Sequence, residues 1–135
     1  MSNWNEGIID EFRANDGKVS GIFEGKPLLL LHHKGARTGA ERVSPLMYQP
    51  VDGSYAVFAS KGGAETNPDW FHNLKAHPDV TIEVGTDKID VRARIAEGDE
   101  QDRIWERQKS EFPQFAGYEQ KTSRDQIPVI VLDPS

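Results

Sequence analysis

The sequence predicts a domain that is mainly β with short helices, an α+β protein whose strands close into a barrel. Three observations predict it. Several short apolar or alternating runs are bounded by Gly, Asn, Asp and Pro, the pattern of strands joined by tight turns. Helical periodicity is confined to a few brief stretches. No strand–helix–strand alternation runs through the chain, which disfavours a parallel sheet and leaves a barrel with helices at its ends. The 135 residues suit one domain, 1–135, without internal repeat, low-complexity stretch or linker. A chain of this size buries roughly 68% of its unfolded surface, enough core to fold without the disulfides that a cysteine-free chain cannot form.

Taken in order, an N-terminal helix is predicted at about 3–15. Asn3 can cap it, and Ile8, Ile9 and Phe12 share a face with Trp4 one turn earlier. Asn15-Asp16-Gly17 ends the helix, and a Gly-rich loop leads to Pro27. Leu28-Leu29-Leu30-Leu31 is too short for a helix and reads as a buried strand. Gly35 to Gly39 makes a tight polar reversal, and Val43 to Tyr48 resumes as a strand. Asp52-Gly53 signals a hairpin from that strand into Tyr55 to Ala59, and Gly62-Gly63 follows. Asn67-Pro68-Asp69 starts a helix, with Asn as the cap and Pro in the first helical position. That helix stops before Pro78, which disfavours a helical His77. Val80 to Val84 and Ile89 to Ile95 alternate as two half-buried strands around a Gly85-Thr86-Asp87 turn. Asp99 caps a helix with Ile104, Trp105 and Phe112 inward, closed by Pro113. Ile127 to Leu132 is the last strand, with Pro128 tolerated at its start.

Sixteen Lys and Arg stand against twenty-two Asp and Glu, a net charge of -6, which disfavours a nucleic-acid partner because phosphate neutralisation needs a cationic surface. No run approaches the roughly 20 apolar residues that span a bilayer. The N-terminus carries acids and no basic stretch, unlike a signal peptide. A soluble, cytoplasmic protein is expected.

Against this acidic background, residues 25–40 hold Lys26, Lys34 and Arg37 and no carboxylate; Arg42 follows closely, and Lys61 sits in the second Gly-rich turn. Gly35, Gly39, Gly62 and Gly63 let main-chain amides approach a ligand, and Thr38 adds a hydroxyl. Such turns suit a phosphate or carboxylate, which Arg grips bidentately; a solvated hairpin tip is the alternative. The Asn67-Pro68 helix start favours anions on the same grounds, or is an ordinary helix end. Trp70 is either core or a wall for a planar cofactor. His72 and His77 do not share a helix face, His32 and His33 point to opposite sides of a strand, and no metal site is expected. There is no GxSxG elbow, P-loop or GxGxxG fingerprint. Side-chain chemistry is thinly supplied, as it is where a bound redox cofactor carries the reaction.

Three blocks in order carry a resemblance: Lys34-Gly35-Ala36-Arg37-Thr38-Gly39-x-x-Arg42-x-x-Pro45-Leu46, then Ala59-Ser60-Lys61-Gly62-Gly63, then Asn67-Pro68-x-Trp70-x-x-Asn73-Leu74-x-Ala76-x-Pro78. Together they resemble the deazaflavin-dependent nitroreductases of actinobacteria, which use reduced coenzyme F-420, from about Pro27 to the end. The resemblance implies a split β-barrel of the FMN-binding-like type. It implies that Lys34, Arg37, Thr38, Gly39 and Arg42 hold the coenzyme's phosphate and glutamate tail, with Pro45 in the same block. Ala59, Ser60, Lys61, Gly62 and Gly63 would line the deazaflavin ring, Pro68 and Trp70 would wall it, and Asn73 would support them. The implied reaction is hydride transfer to a quinone or nitro compound, with Tyr118 and Ser60 as candidates to protonate or hydrogen-bond the acceptor oxygen. Met47 stands where the family commonly has an aromatic, and Phe115 lacks a hydroxyl, which favours coenzyme binding over nitroimidazole activation. FMN in place of F-420, or F-420 binding without turnover, are the alternatives. The N-terminal helix either caps the barrel or makes peripheral membrane contact, where Glu6, Asp10 and Glu11 would meet anionic lipid unfavourably. A monomer and a homodimer are both compatible with the sequence.

Overall fold

A computed structural model describes residues 2–19, 25–123 and 126–135, with backbone alone for 2–5 and 62. The elements are α1 (Ser2–Ala14), β1 (Leu28–Lys34), β2 (Glu41–Met47), β3 (Gln49–Val51), β4 (Ser54–Phe58), a 3-10 turn (Lys61–Gly63), α2 (Asp69–Ala76), β5 (Asp79–Val84), β6 (Asp87–Ile95), α3 (Gly98–Glu111), α4 (Gln114–Lys121) and β7 (Val129–Pro134). The strands form one antiparallel sheet in the order β2-β1-β5-β6-β7-β4-β3. β2 and β3 are therefore opposite edges of the sheet, yet only Tyr48 separates them in the chain. Adjacent Cα atoms are about 3.8 Å apart, so the sheet must curl until its edges meet at Tyr48. The barrel is thereby split along β2 and β3. Both edge strands carry a proline, Pro45 and Pro50, as an edge allows because one row of amides has no ladder partner.

Alternation along the strands divides the apolar residues among three layers. Leu29, Leu31, Val57, Ile82, Val91, Ile130 and Leu132 fill the barrel interior, together with Trp70, Phe71 and Leu74 of α2. Leu28 and Leu30 point the other way, under Phe12, Ile8 and Ile9 of α1. Ala56, Phe58, Val129 and Val131 are covered by Ile104 and Trp105 of α3 and Phe115 of α4. The Leu28–Leu31 run is unbroken because both of its faces are buried, and each such side chain contributes roughly 1.5–3 kcal/mol by leaving water.

The predicted strands and turns are present, with local differences. The Asp52-Gly53 turn, with φ of 48° and 83°, is a hairpin of the primed type. It joins β3 to β4, however, because the chain leaves β2 at Met47 and crosses to the opposite edge at Tyr48. Pro68, not Asn67, is the N-cap of α2, and Glu97, not Asp99, is that of α3, so Asp69 and Asp99 fall in the first turns. There they complement the helix dipoles rather than cap them. Pro113 does not merely close α3; it starts α4, a helix with one buried apolar residue and hence too little periodicity to read from sequence. The capping by Asn3 and packing of Trp4 lie outside the described side chains, and the Gly-rich loop lies partly outside the described residues. α1 itself lies along the outer wall of β1 and β2, where Arg13 donates to both carboxylate oxygens of Glu83 on β5 at 3.2 and 2.7 Å.

Candidate functional site

Two short reversals at one end of the barrel carry the residues that the sequence singles out. The first joins β1 to β2. Gly35 N–H donates to the Ala40 carbonyl and Gly39 N–H to the Gly35 carbonyl, both at 2.9 Å, and Gly39 takes φ +70°, a conformation that favours glycine. A Cβ on Gly35 would lie 2.8 Å from Thr38 Oγ1. Glycine there lets the Thr38 hydroxyl fold inward and accept from Ala40 N–H at 3.2 Å, with its own proton left to donate.

α2 supports this turn from the side. Asn73 Oδ1 accepts from Ala36 N–H, Asn73 Nδ2 meets His33 Nδ1, and His33 Nε2 meets Ser44 Oγ, each at 2.9 Å. Asn73 and His33 are 6% and 4% exposed. Burial first, then the Arg42 guanidinium and His32, lower the His33 pKa to about 4 against the opposing pull of Asp69. The imidazole is neutral near pH 7. Beside this chain opens a cleft of about 450 Å³, lined by Gly35, Arg37, Thr38, Arg42, Asp69 and His72 among others. Arg37, Thr38, Arg42 and Asn73 of the sequence prediction thus meet at one cleft.

Lys34 does not join them. It faces Glu41 across the β1–β2 ladder and lines a separate groove with His32, Asp79, Thr81 and Asp90, because the strand alternation that turns His33 toward α2 turns Lys34 away. Pro45 lies half-buried in β2 opposite Leu30.

The second reversal follows β4. Ala59 is buried in the barrel interior, Ser60 is half-buried, and Lys61 is exposed with φ +49°, an uncommon conformation for a residue with a Cβ. Gly62 completes the turn. Gly63, at φ +85°, is where α4 comes down: a Cβ there would lie 3.0 Å from the Tyr118 carbonyl and from Lys121 Cβ. Thr122 Oγ1 donates to the Ala64 carbonyl at 2.8 Å, and Ser123 bonds Glu65. Tyr118 is half-buried, its ring edge-on to Phe115 at 5.2 Å. The turn from Ser60 to Gly63 and the helix of Tyr118 are thus brought together. Pro68 is buried, and Trp70, 8% exposed, packs in the barrel interior in the same layer as Ala59. Sequence considered His33 and His72 only as metal ligands and Asp69 only in a helix start, and placed neither them nor Ser44 at this site. Hydrogen-bonded partners forty residues apart, as His33 and Asn73 are, leave no local signal.

Among known proteins, the model of the family described as F420H(2)-dependent quinone reductase matches residues 6–134. The chain belongs to this family. It is 38% identical over 125 residues to an F420H(2)-dependent quinone reductase of Mycobacterium tuberculosis, covering 90% of this chain and 83% of that one. Among solved structures, an F420-H2 dependent reductase is 38% identical over 79% of this chain and 94% of its own, with a TM-score of 0.72. A domain-swapped dimer is 34% identical over 97% and 96% of the two chains, with a TM-score of 0.74. A Listeria innocua protein named after pyridoxamine 5'-phosphate oxidase is 13% identical, with a TM-score of 0.58, and shares the split-barrel fold alone. Both the family resemblance and the fold class read from the sequence are borne out. Among the described residues, no helix is long and apolar enough to cross a membrane.

Proposed function

We propose that the protein is an oxidoreductase that uses reduced coenzyme F-420 to reduce a quinone, gripping the coenzyme's anionic tail at the turn between β1 and β2. One observation carries this reading: in a chain of net charge -6, Arg37, Arg42 and Thr38 line one open cleft beside a glycine turn. The donor set fits the group. Two guanidinium groups can hold phosphate or carboxylate bidentately, and Asp69 is the carboxylate among the lining residues. When bound, the reduced deazaflavin supplies a hydride.

The chain's own residues position, exclude water and deliver a proton. Ala59 and Trp70 belong to the buried apolar cluster of the barrel interior, beneath the second turn. Ser60 and Lys61 place polar groups at the rim of the second turn, and Tyr118 sits on the helix packed against it. Reduction of a quinone to a hydroquinone takes one hydride and one proton. Tyr118 or Ser60 donates the hydrogen bond or proton that the developing oxygen anion requires. Lys34 lines a separate groove and is not part of this grip. Nitro compounds are a second acceptor class of the same electronic kind. The exposed carboxylates Glu6 and Asp10 of α1 disfavour an anionic membrane surface, so we place the protein in the cytoplasm, and the domain-swapped relative supports a second copy as partner.

FMN is the second reading, because a single phosphate would satisfy the same arginines and the split barrel is shared. A titration of the purified protein with F-420, with FMN in parallel, tests the proposal when followed by turnover with a quinone. Preferential F-420 binding and turnover are expected. Preference for FMN would overturn the cofactor, and tight F-420 binding without turnover would leave a coenzyme-binding protein.

A further inference from the structure

His33 is given no ligand contact in the reading above and Asn73 only borders the cleft, yet both are buried and hydrogen-bonded on each side. Their protons can be placed by elimination. Ala36 N–H can only donate, so the atom of Asn73 that meets it at 2.9 Å is the amide oxygen. The other end of that amide is a donor, so His33 Nδ1, at 2.9 Å, must accept and carries no proton. A neutral imidazole then holds its proton on Nε2 and donates to Ser44 Oγ at 2.9 Å. Every link is determined by the one before it.

We propose that His33, in the Nε2–H tautomer, is a positioning residue that sets the anion-gripping turn through Asn73. This rests on the reading of that turn as the coenzyme's anion site. A proton on Nδ1 would place two donors against each other. The Asn73 amide would have to rotate, turning its NH2 toward Ala36 N–H and releasing the turn that carries Arg37 and Thr38. The neutral form is enforced from several sides: burial and Arg42 on β2 oppose protonation, as does His32 on β1, while Asp69 on α2 favours it. Lys34, Glu41, Asp79, Lys88 and Asp90 share the groove on the far side of His33, and His72 lines the cleft on the near side. The relay therefore couples the strand pair β1–β2 and α2 to the shape of the turn, with His33 itself outside the lining of the cleft.

Two substitutions separate the relay from ordinary packing. Asn73→Asp keeps an acceptor for Ala36 but sets a carboxylate oxygen against Nδ1, so the His33 Nδ1 should carry a proton in that variant. Asn73→Leu removes both bonds, and F-420 should bind roughly tenfold more weakly, as loss of a hydrogen-bond acceptor in a part-buried site predicts. Nitrogen-15 NMR of the imidazole reads the tautomer directly in the unsubstituted protein, and fluorescence titration reads F-420 affinity. An Nδ1–H tautomer in the unsubstituted protein overturns the relay, as does an Nδ1 that stays unprotonated in Asn73→Asp. If Arg37→Ala weakens F-420 binding and Asn73→Leu does not, the relay falls and the anion site stands. If neither weakens it, the anion site falls, and the relay's role in binding falls with it.

Discussion

At the scale of single residues, the proposed function gives the arginines of the first turn and Tyr118 separable tasks. Arg37 and Arg42 are exposed at the mouth of one cleft, so each has a guanidinium to offer an anion and little else to hold up. Removing both by Arg37→Ala with Arg42→Ala should weaken F-420 binding, by about 1.5–3 kcal/mol for each charge-assisted bond lost. The loss should grow with the length of the glutamate tail, as titrations across tail lengths would show. Unchanged affinity would remove the tail from this cleft. Tyr118→Phe keeps the ring packed edge-on to Phe115 and deletes only the hydroxyl. Turnover with a quinone should fall while coenzyme affinity stays level, in a comparison of kcat with Kd. A parallel loss of both would place the hydroxyl in the coenzyme site. That Arg37 and Arg42 share a cleft was legible in the sequence because both lie in one short block. The separation of Lys34 from Arg37 was not, because three positions apart in sequence says nothing about which groove each side chain enters.

At the scale of elements, the second glycine turn depends on α4. Gly63 combines φ +85° with a position where any Cβ would press on the Tyr118 carbonyl at 3.0 Å. Gly63→Ala should destabilise the fold by more than about 1 kcal/mol and lift α4 from the turn. Faster hydrogen exchange confined to α4 amides, alongside a lowered Tm, would show it; unaltered protection in α4 would separate the helix from the turn. α2 plays the corresponding part for the first turn through Asn73. Its start was nearly legible, since Asn67-Pro68-Asp69 is punctuation that any chain would use, and the one-residue offset of the cap is of the size at which helix ends are defined. α4 was hidden because eight residues with one buried side chain make no pattern until the turn is in place to receive them.

For the whole molecule, two buried ionisable groups on neighbouring strands make stability depend on acid, beside the more exposed carboxylates Glu100, Glu119 and Asp133, which are also held below their ordinary range. The Arg13 guanidinium, with His32, holds the Glu83 carboxyl down to about 2 from an ordinary 4.5. Its contribution is fully present above pH 4.5 and is lost as pH falls toward 2. His33 is held neutral at about 4 against an ordinary 6.5. The unfolded chain takes up that proton first, so stability is lost as pH falls from 6.5 toward 4. Tm should therefore decline in two overlapping windows. Glu83→Gln should flatten the lower one and His33→Gln the upper one; a His33→Gln profile that superimposes on the unsubstituted protein above pH 4.5 would refute the assignment. Glu83 matters at this scale because it ties the first helix to the middle of the sheet across seventy positions.

Local chemistry by itself determined the pieces. The leucine run, the alternation from Val80 to Ile95, the Asp52-Gly53 turn and the two glycine-rich reversals are each specified within a few residues, because backbone conformation and hydrophobic period act at that range. The motif blocks likewise carry the family without any fold. Only the tertiary structure decided which strands pair, that Tyr48 joins the two edges of the sheet, and that Asn73 meets His33. Those contacts join residues whose separation along the chain is unrelated to their separation in space, and they exist only once the barrel has closed.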